Sequence, residues 1–216
     1  EKYYQKALTI YQKAYGEAHP KVGNAYVNLS SIYQEEQNYD KALKGYFNAL
    51  DIWGKVYGVE HPNEGFIYNL IGQTYASQEN WNSALEYQQK ALAIYQKNYG
   101  EKHPKIANTF NLLGNIYFNK EYFSGALDYA QKALIANHSD FSSENVYDNP
   151  QSEEFLNPAS LLASLQLKAR ALEGLHYNKS LKFKDLEMAL TTLEQADKYI
   201  TKIRQTRNSK KDKISL

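Results

Sequence analysis

Apolar side chains fall at helical spacing along this chain, three or four residues apart, and the pattern recurs. Tyr26-x-x-Leu29-Ser30-x-x-Tyr33 returns as Tyr68-x-x-Ile71-Gly72-x-x-Tyr75 and again as Phe110-x-x-Leu113-Gly114-x-x-Tyr117. A second stripe follows each of these: Ala42, Ala84 and Ala126, with Ala49, Ala91 and Ala133 seven residues further on. Such spacing gives an amphipathic helix one buried face. The small residues let neighbouring helix axes approach to about 8–10 Å, and a larger side chain there overpacks the contact at about 1–3 kcal/mol. The pattern predicts pairs of packed helices.

Punctuation between the stripes repeats too. Tyr15-Gly16-Glu17-Ala18-His19-Pro20, Tyr57-Gly58-Val59-Glu60-His61-Pro62 and Tyr99-Gly100-Glu101-Lys102-His103-Pro104 stand at a strict period of 42 residues. Each Pro suits the first helical turn, where its missing N–H is no loss, and each His then falls near the N-cap. Each Gly follows a long helix and is expected at C′ in the left-handed conformation. A second break lies at Gln37-Asn38, Glu79-Asn80 and Glu121-Tyr122, followed by Tyr39, Trp81 or Phe123 at the start of the next helix. One unit therefore reads as helix, tight turn, longer helix, short loop.

The pattern aromatic-x2-Leu-Gly-x2-Tyr, then Ala-x3-aromatic-x2-Ala, resembles the tetratricopeptide repeat (TPR), whose usual period is about 34 residues. The longer period here is similar to that of kinesin light chains and of many bacterial TPR proteins. Departures are Ser30 in place of Gly, and Gln88 and Ala130 where Tyr46 supplies the aromatic. The resemblance implies an all-α, right-handed superhelical solenoid of antiparallel helix pairs. The expected organisation is the second helix of an incomplete repeat at 1–18, repeats at 19–60, 61–102 and 103–137, a long loop at 138–157, a degenerate helical hairpin at 158–205 and a basic tail at 206–216. Residues Tyr4, Ala7, Leu8, Tyr11, Tyr15 and Gly16 repeat the register of Tyr46, Ala49, Leu50, Trp53, Tyr57 and Gly58. Further repeats are therefore expected before Glu1.

After Asn137 the register fails. The stretch 137–157 is rich in Asn, Ser, Asp and Glu, a length of loop that is uncommon in compact domains. Its Phe141, Val146, Tyr147 and Phe155 are expected to pack onto the last repeat or into the groove of the array. Asn157-Pro158 restarts a helix with the stripe Leu161, Leu165, Ala169 and Leu172, and Asp185–Arg204 reads as its partner, carrying Ala189-x3-Leu193-x2-Ala196. Residues Lys202 to Lys213 make a basic end. The loop, residues 167–173 and residues 185–193 together resemble the final TPR units of bacterial CHAT-domain proteins, in which TPRs precede a caspase-like peptidase domain. That resemblance implies an alternative role as the regulatory or sensor arm of a CHAT-type peptidase.

Composition narrows the chemistry. The absence of Cys excludes disulfides, cysteine zinc sites and a cysteine nucleophile within this chain. With 25 basic and 24 acidic residues there is no long-range pull toward nucleic acid. No apolar run reaches the roughly 20 residues of a membrane span. The three repeated histidines sit on successive units, too far apart for one metal ion. His138-Ser139-Asp140 holds the residue types of a hydrolytic triad, but a triad is a matter of converging geometry, not of adjacency. No phosphate-binding glycine motif occurs. The chain is expected to be non-catalytic, cytoplasmic, without cofactor or metal, and to bind neither nucleic acid nor membrane.

What remains is a surface. The TPR resemblance implies that the first helices line a groove for a partner peptide. On that reading Asn24, Asn28, Ser31 and Gln34 face it in the first unit, Phe66, Asn69, Leu70 and Gln73 in the second, and Asn108, Asn111, Leu112, Asn115, Phe118 and Asn119 in the third. Asn and Gln offer both an acceptor and a donor to a peptide backbone, and Phe66, Leu70, Leu112 and Phe118 add apolar contacts. The expected partner is another protein or peptide. Self-association through the ends of the array is the remaining alternative.

Overall fold

The computed structural model describes the backbone of residues 1–152 and 154–214 and the side chains of 1–152 and 154–206. Among the described residues the regular structure is helical, with one isolated antiparallel bridge between His138 and Phe155. Two compact units divide the chain, Glu1–Gly100 and Glu101–Leu216.

The first unit holds α1 (Lys2–Tyr15), α2 (Pro20–Glu35), α3 (Tyr39–Tyr57), α4 (Pro62–Ser77) and α5 (Trp81–Tyr99). Helix α2 pairs with α3 and α4 with α5, each pair joined by a turn in which Gln37 or Glu79 takes a left-handed φ of 60° or 58°. Asn38 and Asn80 cap the second helices through their side-chain carbonyls, accepting from the N–H of Lys41 and Ser83. Val22, Ala42, Leu43, Tyr46, Ala49, Trp53, Ile67 and Ile71 form the core. The departure at Ser30 is matched across the contact, since Gly45 of α3 faces the Ser30 hydroxyl and leaves no room for a Cβ. In the next pair the roles reverse: Gly72 faces Gln88, whose buried amide donates to the Asn69 carbonyl (3.1 Å).

The second unit holds α6 (Pro104–Asn119), α7 (Phe123–Ala136), α8 (Pro158–Leu175), a π-helical turn at His176–Ser180 and α9 (Phe183–Ile214). Gly114 of α6 packs where a Cβ would lie 2.5 Å from Leu167 Cδ2 and 3.3 Å from the Ala126 carbonyl. Leu161, Leu165, Ala169 and Leu172 of α8 are all buried, in two clusters that run from α7 through α8 to α9. Helix α9 carries on through the segment read as a tail from residue 206. The basic side chains of Arg207, Lys210, Lys211 and Lys213 lie outside the described residues.

Candidate partner-binding faces

The recurring loop fixes where each first helix begins. His19, His61 and His103 are N-caps in extended conformation, their Nδ1 atoms accepting from the N–H groups of Lys21, Asn63 and Lys105 at 3.2, 3.1 and 3.1 Å. His19 and His61 also stack on Tyr15 and Tyr57, with ring centroids 4.6 and 4.8 Å apart. Burial, aided by the neighbouring Lys105 charge, lowers the His103 pKa, which keeps its ring neutral and able to accept. Gly16, Gly58 and Gly100 have φ of 81°, 80° and 74°, but their ψ values of 164°, 175° and −160° are far from the left-handed helical region expected of them. They occupy the corner of backbone space that is essentially reserved for glycine.

In the first unit Asn24 and Asn28 of α2 and Phe66 of α4 are exposed, and Leu70 and Gln73 are half-buried. Asn69 differs from its expected place: it is buried at 6% exposure, and its carbonyl accepts from both Gln73 and Gln88. Gln34 also turns inward, its Oε1 accepting from the Tyr46 and Thr74 hydroxyls. In the second unit Asn108 and Asn119 are exposed and Leu112, Asn115 and Phe118 half-buried. Asn111 is buried and donates to the Ser160 carbonyl (3.1 Å), fastening α6 to α8. The expectation that Asn69 and Asn111 line the surface is thus corrected: both are buried, as Val27 at the same register on α2 is. Asn115 returns its amide to the Asn111 carbonyl (2.9 Å). An element that sequence reasoning missed is Arg170 of α8, whose guanidinium lies over the Phe118 ring at 4.1 Å.

The long loop packs onto the final helices, with Phe141 and Phe155 on one cluster and Val146 and Tyr147 on the other. At its centre Lys168 of α8 is fully buried. Its ammonium donates to Gln131 Oε1 of α7 (2.7 Å), the Asp148 carbonyl (2.6 Å) and Asn149 Oδ1 (2.8 Å). Burial pushes its pKa down to about 7. Asn149 donates onward to Thr192, Tyr147 to Asp185 (2.6 Å), and Tyr199 to the carbonyls of Pro150 and Ser152, so the loop is tied along α9. A depression of about 560 Å³ opens between loop and helix, lined in part by Asp140, Phe141, Tyr147, Met188 and Gln195. His138, Ser139 and Asp140 do not converge as a triad. His138 Nδ1 lies 2.6 Å from Asp140, its Nε2 lies 3.0 Å from the Ser152 carbonyl, and the Ser139 hydroxyl donates to the Glu154 carbonyl. The one sequence signal for this network was a lysine at the i+7 place of the Leu161 stripe, where an apolar residue is the rule.

The tetratricopeptide repeat model matches residues 1–46, 22–97 and 67–134, well over half of the sequence. The chain belongs to the tetratricopeptide repeat family. Its fold is shared by the crystal structure of BtubC (BKLC) from P. vanneervenii, at 20% identity and a TM-score of 0.72, over 93% of this TPR chain and 74% of that one. Kinesin light chain nearly identical TPR-like repeats from Podosopora anserina match at 19% identity and a TM-score of 0.64, over 93% and 85% of the two chains. No curated protein matches. TPR repeats typically mediate protein–protein interaction. Among the described residues, no helix of this TPR chain is long and apolar enough to cross a membrane.

Proposed function

We propose that this chain is a non-catalytic interaction module that receives a peptide or partner segment on the exposed, groove-lining faces of its first helices. The observation that carries the reading is the mixed character of the face on α2 and α4, where Phe66 stands 42% exposed in the same helix register as Asn24. In the second unit Asn108, Leu112, Asn115 and Phe118 repeat this mixture on α6, with Arg170 adding a cation beside Phe118. Amides that meet a peptide backbone, next to apolar side chains that receive its residues, are suited to an extended segment. The test is a pulldown with the wild-type chain and with an Asn24/Asn28/Phe66 triple-Ala variant, which avoids the buried Asn69 and Asn111. A partner lost only from the variant supports groove recognition, and identical partners for both refute it.

Self-association is a second reading, favoured by α1. Ile10 and Tyr4 are 61% and 43% exposed, whereas Ile52 and Tyr46, at the same register on α3, are 7% and 0% exposed. If this face pairs between copies, the mass measured by sedimentation rises with concentration and Ile10→Lys abolishes the rise. A mass that is independent of concentration removes this reading.

A further inference from the structure

Among the described residues, the turn between α8 and α9 is the one that contains a π-helical segment and a large apolar residue at positive φ. It passes through the π-helical segment His176–Ser180 and then through Leu181, which holds a left-handed φ of 48° and ψ of 19°. A bulky residue without glycine's freedom rarely adopts that conformation, and such outliers gather at sites of function. Here the strained residue presents its side chain to solvent, not to the core. Tyr177, Leu181 and Phe183 are 66%, 76% and 77% exposed, three large apolar groups within seven residues.

Charge follows the same segment. Lys179, Lys182 and Lys184 interleave with the apolar residues, and among the described residues none of the three is within ion-pair distance of a carboxylate. Lys179 and Lys184 instead lie over the rings of Tyr122 and Tyr147, at 5.8 and 4.0 Å. The acid of the turn, Asp185, is turned inward and nearly fully buried, where it accepts from the Tyr147 and Ser180 hydroxyls. The outward side of the tip is therefore cationic and apolar together.

We propose that this tip docks onto an anionic lipid surface. Aromatic and aliphatic groups sink into the headgroup boundary while neighbouring lysines keep their ammonium groups among the phosphates. The apolar residues stand out from a turn and do not wall a cleft, which suits a deformable lipid layer better than the matched pocket of a folded partner. This surface is separate from the faces of the first helices. It also differs from the sequence expectation of no membrane partner, which weighed only membrane-spanning segments.

The test is flotation of the 216-residue chain with phosphatidylcholine vesicles, with and without phosphatidylserine. The expected result is binding that needs phosphatidylserine and weakens with salt. A lysine near an anionic surface contributes about fivefold in affinity, so a K179Q/K182Q/K184Q variant should bind roughly 100-fold more weakly. An L181S/F183S variant should lose at least about tenfold through its apolar contacts. Circular dichroism should stay unchanged, since these side chains face solvent. No phosphatidylserine-dependent binding overturns the proposal. So does binding that survives both tip variants but is lost in K210Q/K211Q/K213Q. Capture of poly-glutamate that ignores the L181S/F183S change, with no vesicle binding, overturns it in favour of an acidic polypeptide.

Discussion

Gly54 and Gly58 lie four residues apart at the end of α3, and a Cβ built on either meets nothing within 4 Å. Replacing each by Ala therefore changes the backbone alone. Gly54 is inside the helix, where Ala is favoured over Gly by about 0.8–1.0 kcal/mol. Gly58 sits at φ 80° and ψ 175°, where a side chain costs about 1–3 kcal/mol, offset by about 0.4–1 kcal/mol from a less flexible unfolded chain. G54A should stabilise the first unit and G58A destabilise it, with midpoints roughly 10 °C apart for a unit of this size. Both tryptophans, Trp53 and Trp81, are in this unit, so fluorescence-detected melting reports on it selectively. G58N adds a control. Asn tolerates the left-handed helical region but not this one, so it should be no better than Ala. A G58A midpoint at or above that of G54A, or rescue by Asn, would refute the backbone assignment.

Three further expectations concern the second unit. Lys168, with its pKa lowered to about 7 in the fold against 10.5 unfolded, binds fewer protons when folded between those values. Stability should thus rise by about 2–3 kcal/mol from pH 7 to 9, a rise absent in K168M by denaturant titration. His103 also has a lowered pKa, so its contribution is complete above about pH 6.5 and fades as the pH falls below it; H103N keeps the cap and should flatten stability between pH 7 and 5. Asn111→Ala removes the bond to Ser160 and should cost about 1–2 kcal/mol, against less than about 0.5 for exposed Asn108→Ala, both read from urea midpoints.

The repeats were legible because periodicity records burial directly. Gly72, Gly114 and the alanines reveal close helix contacts, and His-Pro marks a cap and a first turn. The candidate faces were legible only in part. Asn69 and Asn111 have the polarity of surface residues yet are buried, and the Ser160 carbonyl that meets Asn111 lies on α8, whose placement a one-dimensional pattern does not contain. Arg170 is 52 residues from Phe118 in sequence, and no spacing rule joins them. The Lys168 network was hidden for a related reason, since its acceptors come from α7 and from a loop without periodicity. Leu181 carries no sign in the sequence of its left-handed φ, since leucine has no preference for that conformation.

Helix pairs that share one pattern carry a hazard of their own: a first helix from one repeat can pair with the second helix of another, and the core will nearly accept the exchange. Repeat proteins are prone to such out-of-phase assembly. Lys168 opposes that exchange where α8 meets α7. Its ammonium finds three oxygens only when α8 lies against α7 with residues 148 and 149 in place, and any shifted pairing strands a cation among apolar groups. The buried lysine thus separates the native arrangement of α7, α8 and the loop from a shifted one by the three bonds that only the native arrangement supplies.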